Sequence, residues 1–528
     1  MKKHTSIPFS ELENIPQLVK DFLSQKVEGY KDKLYSFENI SKQISNKNES
    51  FTTAQRQILV EVLTEQNSEK TLTECQRHNL EALRLDTTFT VTTGHQLNLF
   101  TGPSFFIYKI MQTIRIAEEL NSLDKGYNIV PVFWMATEDH DFEEINHFKT
   151  KAEYYETKAK SGGAVGRIKV EDDYFIQTFE EEFKDTVFGT ELILLLKKAY
   201  KKGQTLATAT RILVQELFGK YGVLILDGDD ARLKKQMIDV FKSELLEEKL
   251  FTTTQSQVSL ITENYGKVQV NPREINLFYL NERRNRIESD GNHFKVVDTT
   301  LTFTEEQIIN ELETSPEKFS PNALLRPVYQ ETVLPNVAYI GGNAEIMYWL
   351  ELKPYFDEIR LAFPILVPRN SLLFLDTKTI SKIEKEGLQV EDFFRNFAEV
   401  TKNTLLDNNE ILHLLDESEN LIFNQFNQIS NSAAETDQTF GNLVDAEKTR
   451  QLKAFKRMRK RLLRAEKIKQ QEKLQRLENL FLNVHPGSSW QERVFNFSVF
   501  YADHGQDWLE ACYEESHSAQ PQIAVLSI

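Results

Sequence analysis

Cysteine is scarce: Cys75 and Cys512 are the only two in 528 residues. That count excludes a disulfide framework and any zinc site built mainly from thiolates. No run approaches the ~18 consecutive apolar residues of a membrane-spanning helix. The start, Met1-Lys2-Lys3-His4-Thr5-Ser6-Ile7-Pro8, has no apolar stretch of the kind a secretory signal carries. A cytoplasmic protein with no membrane partner is expected. Also missing are Gly-x-x-x-x-Gly-Lys-Ser/Thr, Gly-x-Gly-x-x-Gly and Gly-x-Ser-x-Gly. P-loop, dinucleotide-oxidoreductase and α/β-hydrolase readings lose most of their support with them.

What is present is a globular composition, 40% hydrophobic and 11% aromatic. At roughly 100–200 residues per domain, the length fits two to four units, or one large α/β core carrying insertions. The net charge of −16 is uneven: residues 445–479 hold 13 Lys or Arg against 5 Asp or Glu, a local +8, so the remainder carries −24. General nucleic-acid binding is not expected of so acidic a remainder. The basic stripe is most simply a coiled-coil face paired with an acidic helix. An alternative is a non-catalytic dimeric scaffold whose Lys456-Arg457 and Arg459-Lys460-Arg461 grip a polyanion such as tRNA.

From Thr88 to about Arg369, β-like runs alternate with amphipathic helices. Thr88–Thr93 is β-branched and ends at Gly94; Pro103 then opens a helix with Phe106, Ile110, Ile114 and Ala117 on one face. Further apolar runs are Ile129–Met135, Val223–Asp227, Val337–Ile340 and Phe363–Val367. Such a pattern predicts a mostly parallel sheet covered on both faces, with ligands beyond the carboxyl ends of its strands. The core is expected over residues 1–375, with insertions near 149–200, including Ser161-Gly162-Gly163, and near 265–300. Residues 376–480 read as a long helical hairpin or coiled coil, with Leu452, Phe455, Met458, Leu462, Ala465 and Ile468 on one arm and Ile380, Ile383, Leu388 and Phe394 on an earlier one. Residues 481–528 are expected to return to the core.

Four motifs carry candidate chemistry. Thr93-Gly94-His95-Gln96 lies where the first strand meets its helix, so helix-start amides can face an anion and His95 can reach a phosphate or carboxylate. Glu138-Asp139-His140-Asp141, with Glu143, Glu144, Asn146 and His147, follows the strand containing Trp134; it fits acid/base chemistry, amine or hydroxyl recognition, or metal ligation. No spaced pair such as His-x-x-x-His favours a metal, and none is expected. The third motif is Arg326-Pro327 through Tyr339, Gly341, Gly342 and Asn343, with glycines for close backbone approach and an arginine for a carboxylate or phosphate, or for a structural salt bridge. Arg369 and Ser371 form a fourth candidate anion contact.

Taken in order, these motifs, together with Phe105–Lys109, Pro131-Val132-Phe133-Trp134, Ser320-Pro321-Asn322 through Trp349, Val367-Pro368-Arg369 and Gln491-Glu492-Arg493, resemble the bacillithiol biosynthesis cysteine-adding enzymes, the BshC family. The resemblance spans nearly the whole chain. It implies a Rossmann-like core related to class I nucleotidyl transferases, connecting-peptide insertions, and a coiled coil that makes a homodimer. It implies a ligase joining L-cysteine to the amino group of glucosaminyl-malate, with ATP or another adenine nucleotide activating the carboxylate. Gly94-His95 resembles a reduced His-x-Gly-His signature, and no Lys-Met-Ser-Lys-Ser loop follows Arg369. In that light His95 and the Gly94 backbone stabilise phosphate charge, Asp139 or His140 removes a proton from the attacking ammonium, and Arg326 or Arg369 holds a carboxylate. Gln96, Trp134, Glu138, Asp141, Tyr339, Gly341, Gly342, Asn343 and Ser371 complete the expected site. A related ligase with another amine or acid remains the alternative.

Overall fold

Three buried threonines of the first core strand, Thr90, Thr92 and Thr93, bond to the neighbouring strand rather than to solvent. Thr92 and Thr90 Oγ1 donate to Asn336 Oδ1 at 2.8 and 3.3 Å, and Thr93 Oγ1 donates to the Ile340 carbonyl at 2.9 Å. In the computed structural model, which describes residues 1–67, 72–159, 162–433, 435–517 and 520–528, these contacts tie two strands of the central sheet. Ser161 lies outside the described residues.

The sheet contains β1 (Thr88–His95), β2 (Asn128–Met135), β3 (Leu224–Asp227), β4 (Asn336–Gly341) and β5 (Ile365–Pro368), all parallel. Its spatial order is β5-β4-β1-β2-β3, the doubly wound order of a Rossmann sheet, which reverses direction between β1 and β4. Register brings His95 beside Met135, Met135 beside Asp227, and Gly341 beside Pro368, so the carboxyl ends form one edge. Two apolar cores cover the faces. Phe133, Met135 and Ile225 belong to one, and Phe89, Val91, Ile129, Ile340 and Val367 to the other.

Three helices position the site: α1 (Phe105–Asn121), α2 (Arg326–Val333) and α3 (Asn343–Glu358). α1 is buried nearly all round, as its mostly apolar sequence requires, and takes Lys109 inside with it. Between β2 and β3 lie helices Tyr174–Phe183, Gly189–Ala199 and Leu206–Phe218. Between β3 and β4, an antiparallel sheet runs in the order Thr302–Phe303, Phe294–Val296, Arg284–Ser289, Leu277–Leu280, Phe319–Pro321.

The chain divides into two compact units: Met1–Glu11, Ile15–Phe374 and Gln491–Ile528 form one, and Leu12–Asn14 with Leu375–Trp490 the other. In the second, helix Glu410–Ala433 packs along Gln438–Lys469, with Arg459 on Asp416 at 2.6 Å and also on Glu419. The partner of the basic helix is therefore Glu410–Ala433 and not the expected arm through Ile380 and Phe394. Gly387, at φ +75°, follows helix Thr377–Lys385 and breaks that arm, and a short 3-10 turn, Val390–Phe394, separates it from the next helix, Phe397–Leu406. Among the described residues no helix is long and apolar enough to cross a membrane.

Candidate active site

A cleft of about 730 Å³ opens beyond the carboxyl ends of β1, β2 and β4. It sits at the reversal of strand order, where ligands of doubly wound sheets bind. Lys109 and six arginines line it, against the carboxylates of Glu138, Asp139, Asp141 and Glu345. In a chain of net charge −16, positive charge is thus concentrated where an anionic ligand would enter.

Part of that charge is already neutralised. Lys109 Nζ donates to the Gly94 carbonyl at 2.6 Å and to both Glu345 oxygens at 3.0 and 2.8 Å. Glu345 also accepts from the Tyr339 hydroxyl at 2.5 Å and the Gly342 amide at 2.7 Å. Burial opposes its charge, yet the Lys109 ammonium and these hydrogen bonds hold its carboxyl down at about 2. Gly94 and Tyr339 therefore serve this knot. Lys109 and Glu345 were not among the expected site residues; the local signal was Glu345 three residues into the helix after Gly342, where a side chain can return to the helix-start amide.

His95 sits against Phe105 and Phe106, with ring centroids 5.3 and 5.1 Å away. Its Nδ1 is 3.0 Å from the Gln96 carbonyl, which only accepts, so Nδ1 carries the proton and Nε2 offers a lone pair. Burial, and then the nearby Lys109, lower its pKa to about 4. Near neutral pH His95 presents an acceptor, and positive charge for a phosphate must come from elsewhere.

Arg326 is the best source. Its Nη1 donates to Gln330 Oε1 at 2.9 Å, Nη2 lies 3.5 Å from the Tyr348 hydroxyl, and its guanidinium stands 5.6 Å from the Tyr339 ring centre. Among the described residues it has no carboxylate within 4 Å, so the structural salt bridge left open from sequence does not form. Asn343 and Ala344 line the cleft at the start of α3, whose first amides have no intrahelical acceptor. Arg493, exposed and 5.8 Å from the Phe105 ring centre, joins them; the Gln491-Glu492-Arg493 stretch was visible in the sequence, but nothing local gave Arg493 a site role.

Besides the charge expected of His95, three expectations are corrected. Arg369 lines the cleft, but its Nη1 and Nη2 bond Glu492 at 3.0 and 2.6 Å, a buried pair already satisfied. Ser371 is buried, donates to the same Glu492 at 3.1 Å and does not line the cleft. Gly341 also stays out of the lining; a Cβ there would meet the Tyr339 ring at 3.0 Å and Glu345 at 3.1 Å, so packing explains the glycine.

The opposite wall follows β2. Trp134 is buried edge-on to Tyr329 at 5.2 Å. Glu138 is paired with buried Lys234, which also donates to the Glu317 carbonyl at 3.0 Å; burial raises the Glu138 carboxyl. Glu138 is thus a structural ion pair at the cleft floor. Asp139 accepts from Gln96 Nε2 at 2.8 Å and from the His140 amide at 2.7 Å. His140 Nδ1 lies 2.9 Å from Arg284 Nη1, and the exposed Asp141 lies 3.7 Å from His140 Nε2. Asp139, His140 and Asp141 could bring one ligand atom each within 4.8 Å. That donor set does not fit a cation, because Arg284 already occupies the His140 Nδ1 lone pair with positive charge. His147 points elsewhere, stacked on Tyr154 at 5.1 Å.

The family models agree with this architecture. Residues 3–370 match the bacillithiol biosynthesis BshC N-terminal Rossmann-like domain, and residues 372–528 match its C-terminal coiled-coil domain. A Flavobacterium johnsoniae protein named "Putative cysteine ligase BshC" is 39% identical over 97% of both chains. Its namesake in Flavobacterium psychrophilum is 40% identical over 97% of this chain and 96% of its own. One from Bacillus cytotoxicus is 28% identical over 88% and 89%. With a Rossmann sheet, a cationic cleft at its switch point and both family domains present in order, this chain belongs to the BshC family.

Proposed function

We propose that the chain is a carbon–nitrogen ligase that joins the carboxyl of L-cysteine to the amino group of glucosaminyl-malate, with an adenine nucleotide as co-substrate. The observation that carries this reading is the cleft itself: an arginine without a carboxylate partner beside a helix start on one wall, and an Asp-His pair on the other.

A carboxylate is a poor electrophile, so the amide requires activation. In the first step a cysteine carboxylate oxygen attacks phosphorus, displacing pyrophosphate or ADP. In the second, the amine nitrogen attacks the acyl carbon, the C–O bond breaks, and AMP or phosphate leaves as the nitrogen gives up a proton. Arg326 would hold an anionic oxygen by charge-assisted hydrogen bonds, with the first amides of α3 and Arg493 sharing phosphate charge. Arg369 would shape the wall, since Glu492 already takes its guanidinium. Asp139 or His140 would receive the ammonium proton. Selection of the thiol cannot rest on a cysteine-rich zinc site, because the chain has two cysteines.

The test is to incubate the purified chain with cysteine, glucosaminyl-malate and ATP and look for the amide by mass spectrometry. AMP alongside product indicates adenylation, and ADP an acyl phosphate. Asp139→Ala should lower the rate by roughly a hundredfold. No product under any nucleotide or metal condition would count against the ligase. Steeply salt-dependent RNA binding would instead favour the scaffold.

A further inference from the structure

Arg284 lies on the inserted strand Arg284–Ser289, far from the sheet in sequence, yet its guanidinium reaches the cleft wall formed after β2. The side chain is only 8% exposed and packs 4.0 Å from the Phe278 ring centre. Each of its nitrogens is engaged. Nε donates to Ser320 Oγ at 3.0 Å, Nη2 to the Pro321 carbonyl at 2.7 Å, and Nη1 faces His140 Nδ1 at 2.9 Å.

Guanidinium has donors and no acceptor. A contact of 2.9 Å with an imidazole nitrogen is therefore a hydrogen bond only if that nitrogen carries the lone pair. His140 must then be neutral with its proton on Nε2, because an imidazolium would turn an N–H toward a cation. The Ser320 and Pro321 hydrogen bonds and the Phe278 ring prevent Arg284 from retreating. The other charged groups facing His140 are Asp139, 3.7 Å from Nδ1, and Asp141, 3.7 Å from Nε2; neither comes within hydrogen-bond distance of the ring, so Arg284 is the group that sets its tautomer. The ring is further held against Phe278 at 5.3 Å.

We infer that Arg284 is a positioning residue that fixes His140 as a neutral Nε2–H hydrogen-bond donor to the cleft. Resting on the ligase reading, this separates the two candidates for the ammonium proton. His140 has no free lone pair and instead donates to the oxygen that gains charge when the amine adds to the acyl carbon. Asp139 is left as the proton acceptor. The inserted antiparallel sheet thereby contributes to chemistry that the Rossmann sheet alone would not specify.

The test is independent of turnover. Long-range ¹H–¹⁵N correlation spectra of the full chain labelled at histidine, with His140 assigned by its loss in His140→Phe, should show Nδ1 unprotonated and Nε2 protonated near neutral pH. An Nδ1–H tautomer or an imidazolium there would overturn the inference. Arg284→Met should release the lock, giving mixed tautomers of His140 and at least a tenfold loss of rate, with partial recovery of the tautomer and rate in Arg284→Lys. An unchanged His140 signal in folded Arg284→Met would also overturn it. Absence of ligase product with the wild-type tautomer intact would count against the reaction and leave the lock standing.

Discussion

Arg326 is the residue on which anion recognition turns. Its neighbours Gln330, Tyr348 and Tyr339 orient it without cancelling its charge, whereas Arg369, similar in sequence promise, is consumed by Glu492. Hydrogen bonds to charged groups contribute about 1.5–3 kcal/mol. Arg326→Met should therefore lower kcat/KM by roughly 10–100-fold, with the loss appearing in KM for the anionic substrate it holds. Steady-state kinetics on the two substrates separately would check this, and an unchanged kcat/KM for both would remove Arg326 from recognition. The motif made Arg326 visible but not its freedom, because the partner of an arginine is set by tertiary placement. The same limit applied to Arg369 and Ser371, whose partner Glu492 lies more than 120 positions away.

At the scale of elements, α3 links the cleft to the insertion. Its first turn offers amides and Glu345, and two turns later Glu351 accepts from the Gln269 and Val270 amides at 3.1 and 3.4 Å. That segment leads directly to Asn271 and Arg273 in the cleft lining. Burial raises the Glu351 carboxyl from the ordinary 4.5 to about 8, against the lowering effect of the two amides. Between those values the folded chain retains a proton that the unfolded chain releases, so this group's stabilising contribution is lost as pH rises from about 4.5 through about 8. Glu351→Gln preserves an acceptor oxygen and removes the titration. The melting temperature of the variant should gain on that of the native chain from pH 5 to pH 8; parallel curves would contradict the assignment. The strands and α1 were legible from sequence because β-branched runs and a 3.6-residue apolar repeat report burial locally. The helix Glu410–Ala433, which immediately precedes the basic helix, was not recognised as its partner, because Ile380, Ile383, Leu388 and Phe394 read as one continuous arm and a periodic apolar pattern does not show the break that Gly387 makes at φ +75°.

For the whole molecule, the uneven charge acquires a location. Some of the +8 stripe pairs within the second unit, as Arg459 does with Asp416 and Glu419, and the acidic first unit contains a cleft rich in arginine. Ile411, Leu414 and Leu421 remain 54%, 61% and 64% exposed on Glu410–Ala433, a stripe suited to the homodimer that the sequence resemblance implies. Light scattering should give a dimer for the native chain and a monomer for Leu414→Glu/Leu421→Glu; a native monomer would contradict that assembly. The central claim, that a nucleotide phosphorus activates the cysteine carboxylate in this cleft, is tested most directly with cysteine labelled by ¹⁸O in its carboxyl group. The account predicts transfer of one ¹⁸O to AMP or to inorganic phosphate for each amide formed. Amide formation with no label in either would contradict it.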